Sequence, residues 1–188
     1  CLLSRGLGDV YKRQRLAARD PLTAMYNRRA LEARAPKLLD GVSPKHPGAL
    51  LLIDIDNFKQ VNDLHGHAAG DRLLVMLGEM IRRALPEGSL AARLGGDEFV
   101  ILLRDASPAR ITNLGDLLRQ QFQSAAVQAF ATPEAVTLSV GASLFDQPPA
   151  SLAALIEQGD VALYESKRGG RDSLRLVDRT ANGEPLAG

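Results

Sequence analysis

The sequence predicts one α/β domain whose sheet is at least partly antiparallel and is covered by helices. A short, continuous apolar run at residues 49–55 is typical of a strand that is buried on both faces. Apolar residues recur at three- and four-residue spacing over residues 73–85, which is typical of a helix with one buried face. Two strand-like runs flank Gly95 and Gly96, and this composition indicates a hairpin turn.

The other elements follow from spacing and from the residues that begin and end helices. A helix is predicted over residues 23–39, since Pro21 suits its start and Asp40 and Gly41 suit its end. The hairpin strands are predicted at residues 89–94 and 98–103. A helix, a strand, a second helix and a short strand are then predicted at residues 108–128, 136–145, 151–167 and 173–177.

Composition places the chain among ordinary globular domains. Of its 188 residues, 45% are hydrophobic and 24% are charged, which excludes disordered, collagen-like and coiled-coil classes. No apolar run approaches the roughly 18 residues that a membrane-spanning helix needs, so we expect no direct membrane contact from this segment. Cys1 is the only cysteine, which excludes an intramolecular disulfide and favours a reducing, cytoplasmic setting.

Charge argues against nucleic acid as a partner. The formal net charge is +1, and residues 1–14 carry three basic residues against one acidic residue, so the rest of the chain is not basic. This opening segment lacks an initiating Met and has too few apolar residues for a signal peptide. We expect residues 1–14 to be a non-native leader, because residues 9–14 resemble a translated sequencing adapter. The functional domain is expected at residues 15–178, followed by a flexible tail at 179–188.

Two acidic pairs are candidates for chemistry. Asp54 and Asp56 close the buried strand, and strand alternation puts both on one face at its C-terminal end, where carboxylates can hold magnesium. The alternative is that these acids only end the strand and cap the next helix. Asp97 and Glu98 follow the hairpin glycines, whose lack of side chains lets a phosphate approach the backbone. The alternative there is an ordinary hairpin turn.

Residues 62–71 read as an irregular, glycine-containing linker between two helical pieces, and they carry Asn62, His67 and Asp71. A carboxylate accepts two adjacent N–H groups of a guanine, and an amide can both donate and accept there. The alternative is a solvated loop in which Asp71 starts the next helix. His65 and His67 suggest a transition metal, but the nearby acids favour hard cations.

Lys167 and Arg171 lie around Gly169 and Gly170, where a helix is predicted to end. Two cations at this point could converge on a triphosphate. Basic residues in a last helical turn also interact favourably with the helix dipole, so the pattern has a purely structural explanation as well.

In this order, the motifs resemble the GGDEF family of diguanylate cyclases from residue 20 to about residue 177. The matching segments are residues 20–23, 27–29, 52–59, 62–71, 95–99 and 164–171. The resemblance implies a fold similar to nucleotidyl cyclases and polymerase palms, with a mixed, largely antiparallel sheet flanked by helices. It also implies the condensation of two GTP into cyclic di-GMP with release of two pyrophosphates.

The resemblance implies a role for each acidic candidate. Asp54, the carbonyl group of Ile55, Asp97 and Glu98 would hold two divalent ions, Mg²⁺ or Mn²⁺, in each active site. Asp97 would also accept the proton of the attacking 3′-hydroxyl group, and Lys59 would stabilise the transition state. Such ions neutralise the triphosphate in phosphoryl transfer.

The remaining candidates would bind the substrate. By the same resemblance, Asn62 and Asp71 would contact the guanine, together with His67 at a further substrate-binding position. Lys167 and Arg171 would contact the phosphates.

Each domain of this family binds one GTP, so the resemblance implies a homodimer in which two domains face each other. An upstream sensory or receiver domain is expected, as is usual in the family, and the parent protein could be tethered to a membrane. The main alternative is a catalytically silent domain that binds GTP or cyclic di-GMP as a regulatory module. A purely structural domain would leave the clustered acids and cations without a reason.

Two positions depart from the family pattern. Members with product inhibition carry Arg-x-x-Asp ending six residues before the first motif glycine, where residues 86–89 here read Pro-Glu-Gly-Ser. We therefore expect weak or no feedback inhibition through that site. Ala24 and Met25 stand where Gly-Leu is common, which is a conservative change.

Overall fold

The computed structural model describes residues 18–130 and 136–181. The predicted leader therefore lies outside the described residues, and so do residues 182–188 of the predicted tail. The elements in chain order are β1 (Tyr26–Asn27), α1 (Arg28–Leu39), β2 (Gly48–Ile55), α2 (Phe58–His65), α3 (His67–Ala84), β3 (Leu90–Gly95), β4 (Glu98–Leu103), α4 (Pro108–Ala129), β5 (Leu138–Phe145), α5 (Leu152–Arg168) and β6 (Leu174–Asp178).

The strands form one six-stranded sheet in the order β1-β3-β4-β2-β5-β6. The three inner pairs are antiparallel, whereas the outer pairs β1–β3 and β5–β6 are parallel. Strand β2 lies between β4 and β5, and all eight of its residues are buried. This arrangement confirms the predicted mixed, largely antiparallel sheet.

Helices cover both faces of the sheet, and β2 shows how its sequence serves them. Leu51 and Ile53 belong to one core cluster together with apolar residues of α3 and α4. Leu50 and Leu52 belong to a second cluster with residues of α1 and α5. Successive strand side chains point to opposite faces, so a continuous apolar run fills both clusters. None of the helices in the described ranges has the length and apolarity to cross a membrane.

The prediction of a helix from residue 23 was wrong at its start. Asp20 accepts hydrogen bonds from the backbone N–H and the hydroxyl group of Thr23, at 2.8 and 2.7 Å, which fixes a turn there. The chain then forms β1, which pairs with β3. Helix α1 begins at Arg28, because the side chain of Asn27 caps it by accepting a hydrogen bond from the N–H of Ala30.

The prediction of a linker over residues 62–71 was also wrong. Asn62 lies in α2, whereas His67 and Asp71 lie in α3, and Gly66 alone separates the two helices. Gly66 has a φ of +81°, a conformation that glycine adopts without steric cost, so one residue is enough to redirect the chain. The predicted strands and the last two predicted helices agree with the structure to within two residues at each end.

Candidate active site

Residues from three parts of the chain meet at the end of strand β2. Asp54 lies opposite Glu98 of β4 on one side and opposite Ser139 of β5 on the other. Asp97 precedes Glu98 in the hairpin turn, and Lys167 reaches the same place from the last turn of α5. The antiparallel register of β2 and β4 is therefore what places the hairpin acids beside the strand-end aspartate.

Asp54 is a buried carboxylate in a negative environment. Burial is the main cause that raises the pKa of Asp54, and with the opposing hydrogen bond from Lys167 and the added negative charges of Asp97 and Asp56 the pKa becomes about 6. The Nζ atom of Lys167 lies 2.8 Å from Oδ2 of Asp54 and supplies one positive charge. A carboxyl group with a raised pKa keeps its proton to a higher pH. A cation beside it has the opposite effect, because it favours the charged carboxylate.

The donor set fits a hard divalent ion. Carboxylate and carbonyl oxygens are the ligands that magnesium prefers, and Asp54, Ile55, Asp97 and Glu98 offer these atoms near the C-terminal end of β2. In the described ranges, no three His, Cys, Asp or Glu side chains are arranged around one ion, and Lys167 holds the Asp54 carboxylate. Burial is the main cause of the raised pKa of Asp54, and the negative charges of Asp97 and Asp56, which add to it, are what a metal ion would compensate.

Asp56 serves a different purpose from Asp54. Its fully buried carboxylate accepts hydrogen bonds from the hydroxyl groups of Thr137 and Ser139, both at 2.7 Å. It also accepts the backbone N–H of Asp172 at 3.2 Å. The two acids suggested by the sequence as a pair are therefore neighbours with separate partners, and the partners of Asp56 belong to the frame around the site.

The glycine turn of the hairpin has open space around it, and the Arg93 side chain holds its backbone in place. Gly96 has a φ of +50°, and a Cβ atom added at Gly95 or Gly96 would meet no atom within 4 Å beyond its adjacent residues in the chain. Arg93 donates to the carbonyl oxygen of Gly96 from Nε and Nη2, at 3.0 and 2.7 Å. The same guanidinium group contacts both carboxylate oxygens of Asp20, at 3.1 and 3.2 Å.

Arg93 and Asp20 form a support that was missed in the analysis of the sequence. Burial alone would raise the pKa of Asp20, but hydrogen bonds from Thr23 and Arg93 outweigh this effect and lower the pKa below its ordinary value. Arg93 lies only two residues before the glycines, so a role in the turn could have been suspected from its position. Its partner Asp20 is 73 residues away in sequence, and no local pattern indicates it.

The α2–α3 pair carries the candidates for base recognition. Lys59 lies in the first turn of α2 and is exposed, as are His67 and Asp71 in the first turns of α3. Asn62 is half-buried, and its side chain packs against Gly70. The structure thus brings Asn62 close to the start of α3, where Asp71 lies.

The two basic candidates converge on the acids. Lys167 contacts Asp54, and Nε of Arg171 lies 3.9 Å from Oδ1 of Asp56. The side chain of Arg171 is 55% exposed, so it remains accessible to a ligand. The end of β2 therefore combines an open glycine turn, buried acids and two basic side chains. A phosphate-bearing anion and a divalent cation can bind together at such a place.

Comparisons with known proteins agree with this geometry. The family model of the diguanylate cyclase GGDEF domain matches residues 17–173. The chain is 38% identical over 164 residues to diguanylate cyclase TpbB of Pseudomonas aeruginosa, which covers 86% of this chain but only 38% of TpbB. It therefore spans well under half the length of that curated relative.

Solved structures give the same result. The coiled coil and GGDEF domain of DgcB from Caulobacter crescentus, in complex with c-di-GMP, matches with a TM-score of 0.79 and 27% identity over 93% of each chain. Diguanylate cyclase SiaD of Pseudomonas aeruginosa, in complex with its activator SiaC, matches with a TM-score of 0.74 and 30% identity over 94% of this chain and 67% of SiaD. These matches confirm the palm-like cyclase fold. The chain belongs to the GGDEF domain family of diguanylate cyclases.

Proposed function

We propose that this domain is a diguanylate cyclase that condenses two GTP molecules into cyclic di-GMP and releases two pyrophosphates. The observation that carries the proposal is the buried Asp54 carboxylate, held between the hairpin acids and Lys167 at the end of β2. The 38% identity to TpbB over 86% of this chain supports the same activity. With its single cysteine, the domain suits a reducing, cytoplasmic setting.

GTP would lie across the C-terminal end of β2, with its base toward α2 and α3. Asn62 and Asp71 would bind the guanine, because a carboxylate accepts two adjacent N–H donors of that base. His67, exposed in the first turn of α3, would add a substrate contact. The triphosphate would pass the open Gly95–Gly96 turn, where no side chain obstructs it.

The side chains of Lys167 and Arg171 would bind the phosphates, at the end of the site away from the base. Lys167 and Arg171 already lie beside Asp54 and Asp56. On substrate binding, Lys167 would transfer its contact from the Asp54 carboxylate to a phosphate oxygen. This exchange leaves Asp54 free to bind a positive ion, so substrate and metal binding would support each other.

In the reaction, the 3′-oxygen of each GTP forms a bond to the α-phosphorus of the other, and the bond from each α-phosphorus to its pyrophosphate breaks, so two pyrophosphates leave. Asp97 accepts the proton of the attacking hydroxyl group, and Lys59 stabilises the negative charge that develops. Asp54, the Ile55 carbonyl group, Asp97 and Glu98 would hold two Mg²⁺ or Mn²⁺ ions. These ions would neutralise the triphosphate charge.

Turnover would require two copies of this domain, because each copy holds one GTP. DgcB was solved with a coiled coil attached to its GGDEF domain, and coiled coils bring helices of two or more chains together. SiaD was solved with an activator protein. We propose a homodimer for this domain, brought together by a sensory or receiver domain upstream in the parent protein.

The experiment is incubation of the 188-residue chain with GTP and magnesium at high protein concentration, with the products identified by chromatography and mass. We expect cyclic di-GMP and pyrophosphate. Asp97→Asn should abolish both while leaving the fold intact, because Asp97 lies in the hairpin turn outside the two core clusters. Asp105→Asn is the matched control, since Asp105 is an exposed acid after the other end of β4.

Two other outcomes would change the assignment, and a third would support the proposed homodimer. Cyclic di-GMP formation by Asp97→Asn at the parent rate would remove Asp97 from the mechanism. Bound GTP without product, even after fusion to a constitutive dimerisation module, would identify the silent regulatory domain instead. Product only after that fusion would show that the cyclase depends on dimerisation.

A further inference from the structure

The turn between α5 and β6, residues 169–173, carries Arg171 on unfavourable backbone. Arg171 and Asp172 have φ angles of +64° and +41°, and the preceding Gly170 has a φ of +114°. A left-handed conformation brings the Cβ atom of a non-glycine residue too close to its own backbone. Two such residues in succession persist only where surrounding contacts hold them.

Asp172 is held at its N–H, its C=O and its side chain. Its N–H donates to Oδ2 of Asp56 at 3.2 Å. Arg119 of α4 donates to Oδ1 of Asp172 from Nε and Nη2, at 3.2 and 3.0 Å, and also donates from Nη2 to the Asp172 carbonyl oxygen. The guanidinium group thus contacts both the backbone carbonyl group and the carboxylate of the residue that follows Arg171.

The position of Arg119 is itself set by packing. A Cβ atom at Gly115, one helical turn earlier on the same face, would lie 2.2 Å from Cδ1 of Leu174. Helix α4 therefore approaches the start of β6 closely, which brings Arg119 within reach of the turn. The side chain of Arg119 is 19% exposed, and Nη1 donates to Asp116 at 2.6 Å.

We propose that Arg119 is a positioning residue that holds the 169–173 turn in the conformation that presents Arg171 to the triphosphate. The proposal rests on the proposed function, because it takes Arg171 as a phosphate contact. Arg119 also neutralises the Asp172 carboxylate, which would otherwise attract the Arg171 guanidinium group and repel an incoming phosphate. Without Arg119, the turn would relax and Arg171 would leave the edge of the site.

The test compares Arg119→Ala, Arg171→Ala and the double variant in the 188-residue chain, by calorimetric binding of GTP with magnesium. Each single variant should weaken GTP binding by roughly tenfold, and the double variant should bind no more weakly than Arg171→Ala alone. The binding measurement does not depend on turnover, so a chain that forms no cyclic di-GMP still tests the proposal.

Arg110→Ala is the matched control on the same helix. Arg110 also donates to backbone carbonyl oxygens, those of Arg104 and Asp105 at 3.2 and 2.9 Å. These two residues follow the C-terminal end of β4, whereas the candidate site includes its N-terminal end. We expect its GTP affinity to equal that of the parent. If Arg119→Ala does not fold, Arg119→Lys replaces it, since lysine keeps the charge but loses the two-pronged contact.

Hydrogen exchange of the amides of residues 169–174 gives a readout that a general loss of stability does not imitate. Exchange there should be faster in Arg119→Ala and unchanged in Arg110→Ala. Equal weakening by Arg119→Ala with and without Arg171, or unchanged exchange in the turn, would overturn the proposal. If exchange in the turn is faster in Arg119→Ala but Arg171→Ala binds GTP as tightly as the parent chain, Arg171 is not a phosphate contact and the proposal is overturned as well.

Discussion

The side-chain oxygen of Asn62 in α2 lies directly against Gly70 in α3. A Cβ atom at position 70 would be 2.2 Å from Oδ1 of Asn62 and 3.0 Å from Cζ of Phe58. The absence of a side chain at Gly70 therefore leaves space for the Asn62 amide, which would otherwise have to adopt another position. Because Asp71 is the next residue, one glycine sets the spacing of the two side chains proposed to bind guanine.

Gly70→Ala should weaken GTP binding, since the methyl group displaces Asn62. We expect KM for GTP to rise roughly tenfold with a smaller change in kcat, because the reacting groups lie elsewhere. Gly78→Ala is the control within the same helix, as its Cβ atom would meet Thr23 at 3.1 Å and not Asn62. A rise in KM of the same size in both variants would show that helix packing, and not Asn62, controls binding.

Asp71 should determine the choice of GTP over ATP. A carboxylate accepts two donors from guanine, whereas adenine offers one donor and one acceptor on the equivalent edge. We expect the parent chain to use GTP almost exclusively. Asp71→Asn should lose activity with GTP, so the ratio of activity with GTP to activity with ATP should fall. Competition assays with both nucleotides measure this ratio. Asp63→Asn, an exposed acid in α2, should leave it unchanged.

Feedback inhibition should be weak. Residues 86–89 form a turn closed by a hydrogen bond from the Ser89 N–H to the Pro86 carbonyl oxygen, without the Arg-x-x-Asp pair of inhibited relatives. Adding cyclic di-GMP should barely slow initial rates. Tight binding of cyclic di-GMP that disappears in Arg82→Ala or Arg83→Ala, near the end of α3, would contradict this expectation.

Ala24→Gly should stabilise the fold. Ala24 has a φ of +56° and its methyl group is exposed, so it bears a steric cost that glycine lacks. We expect a gain of about 0.5–1 kcal/mol after the larger entropy loss of glycine on folding is included. Ala33→Gly, exposed within α1, should instead lose about 0.5–1 kcal/mol. Urea unfolding separates the two; a loss of stability in Ala24→Gly would refute the argument.

Acid should weaken the support beneath the glycine turn. The pKa of Asp20 is lowered in the fold, so its contribution to stability is complete above its ordinary value of 3.8 and is lost as the pH falls through the lower, folded value. Asp20→Asn should cost about 1–2 kcal/mol at pH 7, and this difference should shrink toward pH 3. Glu87→Gln is the exposed control. A difference that is independent of pH would exclude the charge of Asp20 as its source.

Much of the fold follows from local pattern. The apolar run of β2 and the spacing in α3 indicate their structures because burial on one or two faces imposes a period on the sequence. Strand β1 was missed because it is two residues long and depends on pairing with β3. The break at Gly66 was drawn too wide, since a linker of one glycine leaves little composition to detect.

The candidate site divides along the same line. The candidate acids and cations could be predicted because their chemistry is visible residue by residue. The supporting contacts were not: Arg93 reaches Asp20 across 73 residues, and Arg119 reaches Asp172 across 53. Their pairing depends on the strand order and on the close approach of α4 to β6, neither of which has a local signature.

The hydrogen bond from the Asp172 N–H to Asp56 joins residues 116 positions apart. Contacts of such long range form late in folding, because the loop between the partners must first lose its freedom. A ribosome would therefore have to release nearly the whole domain before the proposed phosphate-binding end of the site exists. Once formed, the site links the first half of the chain to the last strand, so bound nucleotide will protect the entire domain against unfolding and proteolysis at once.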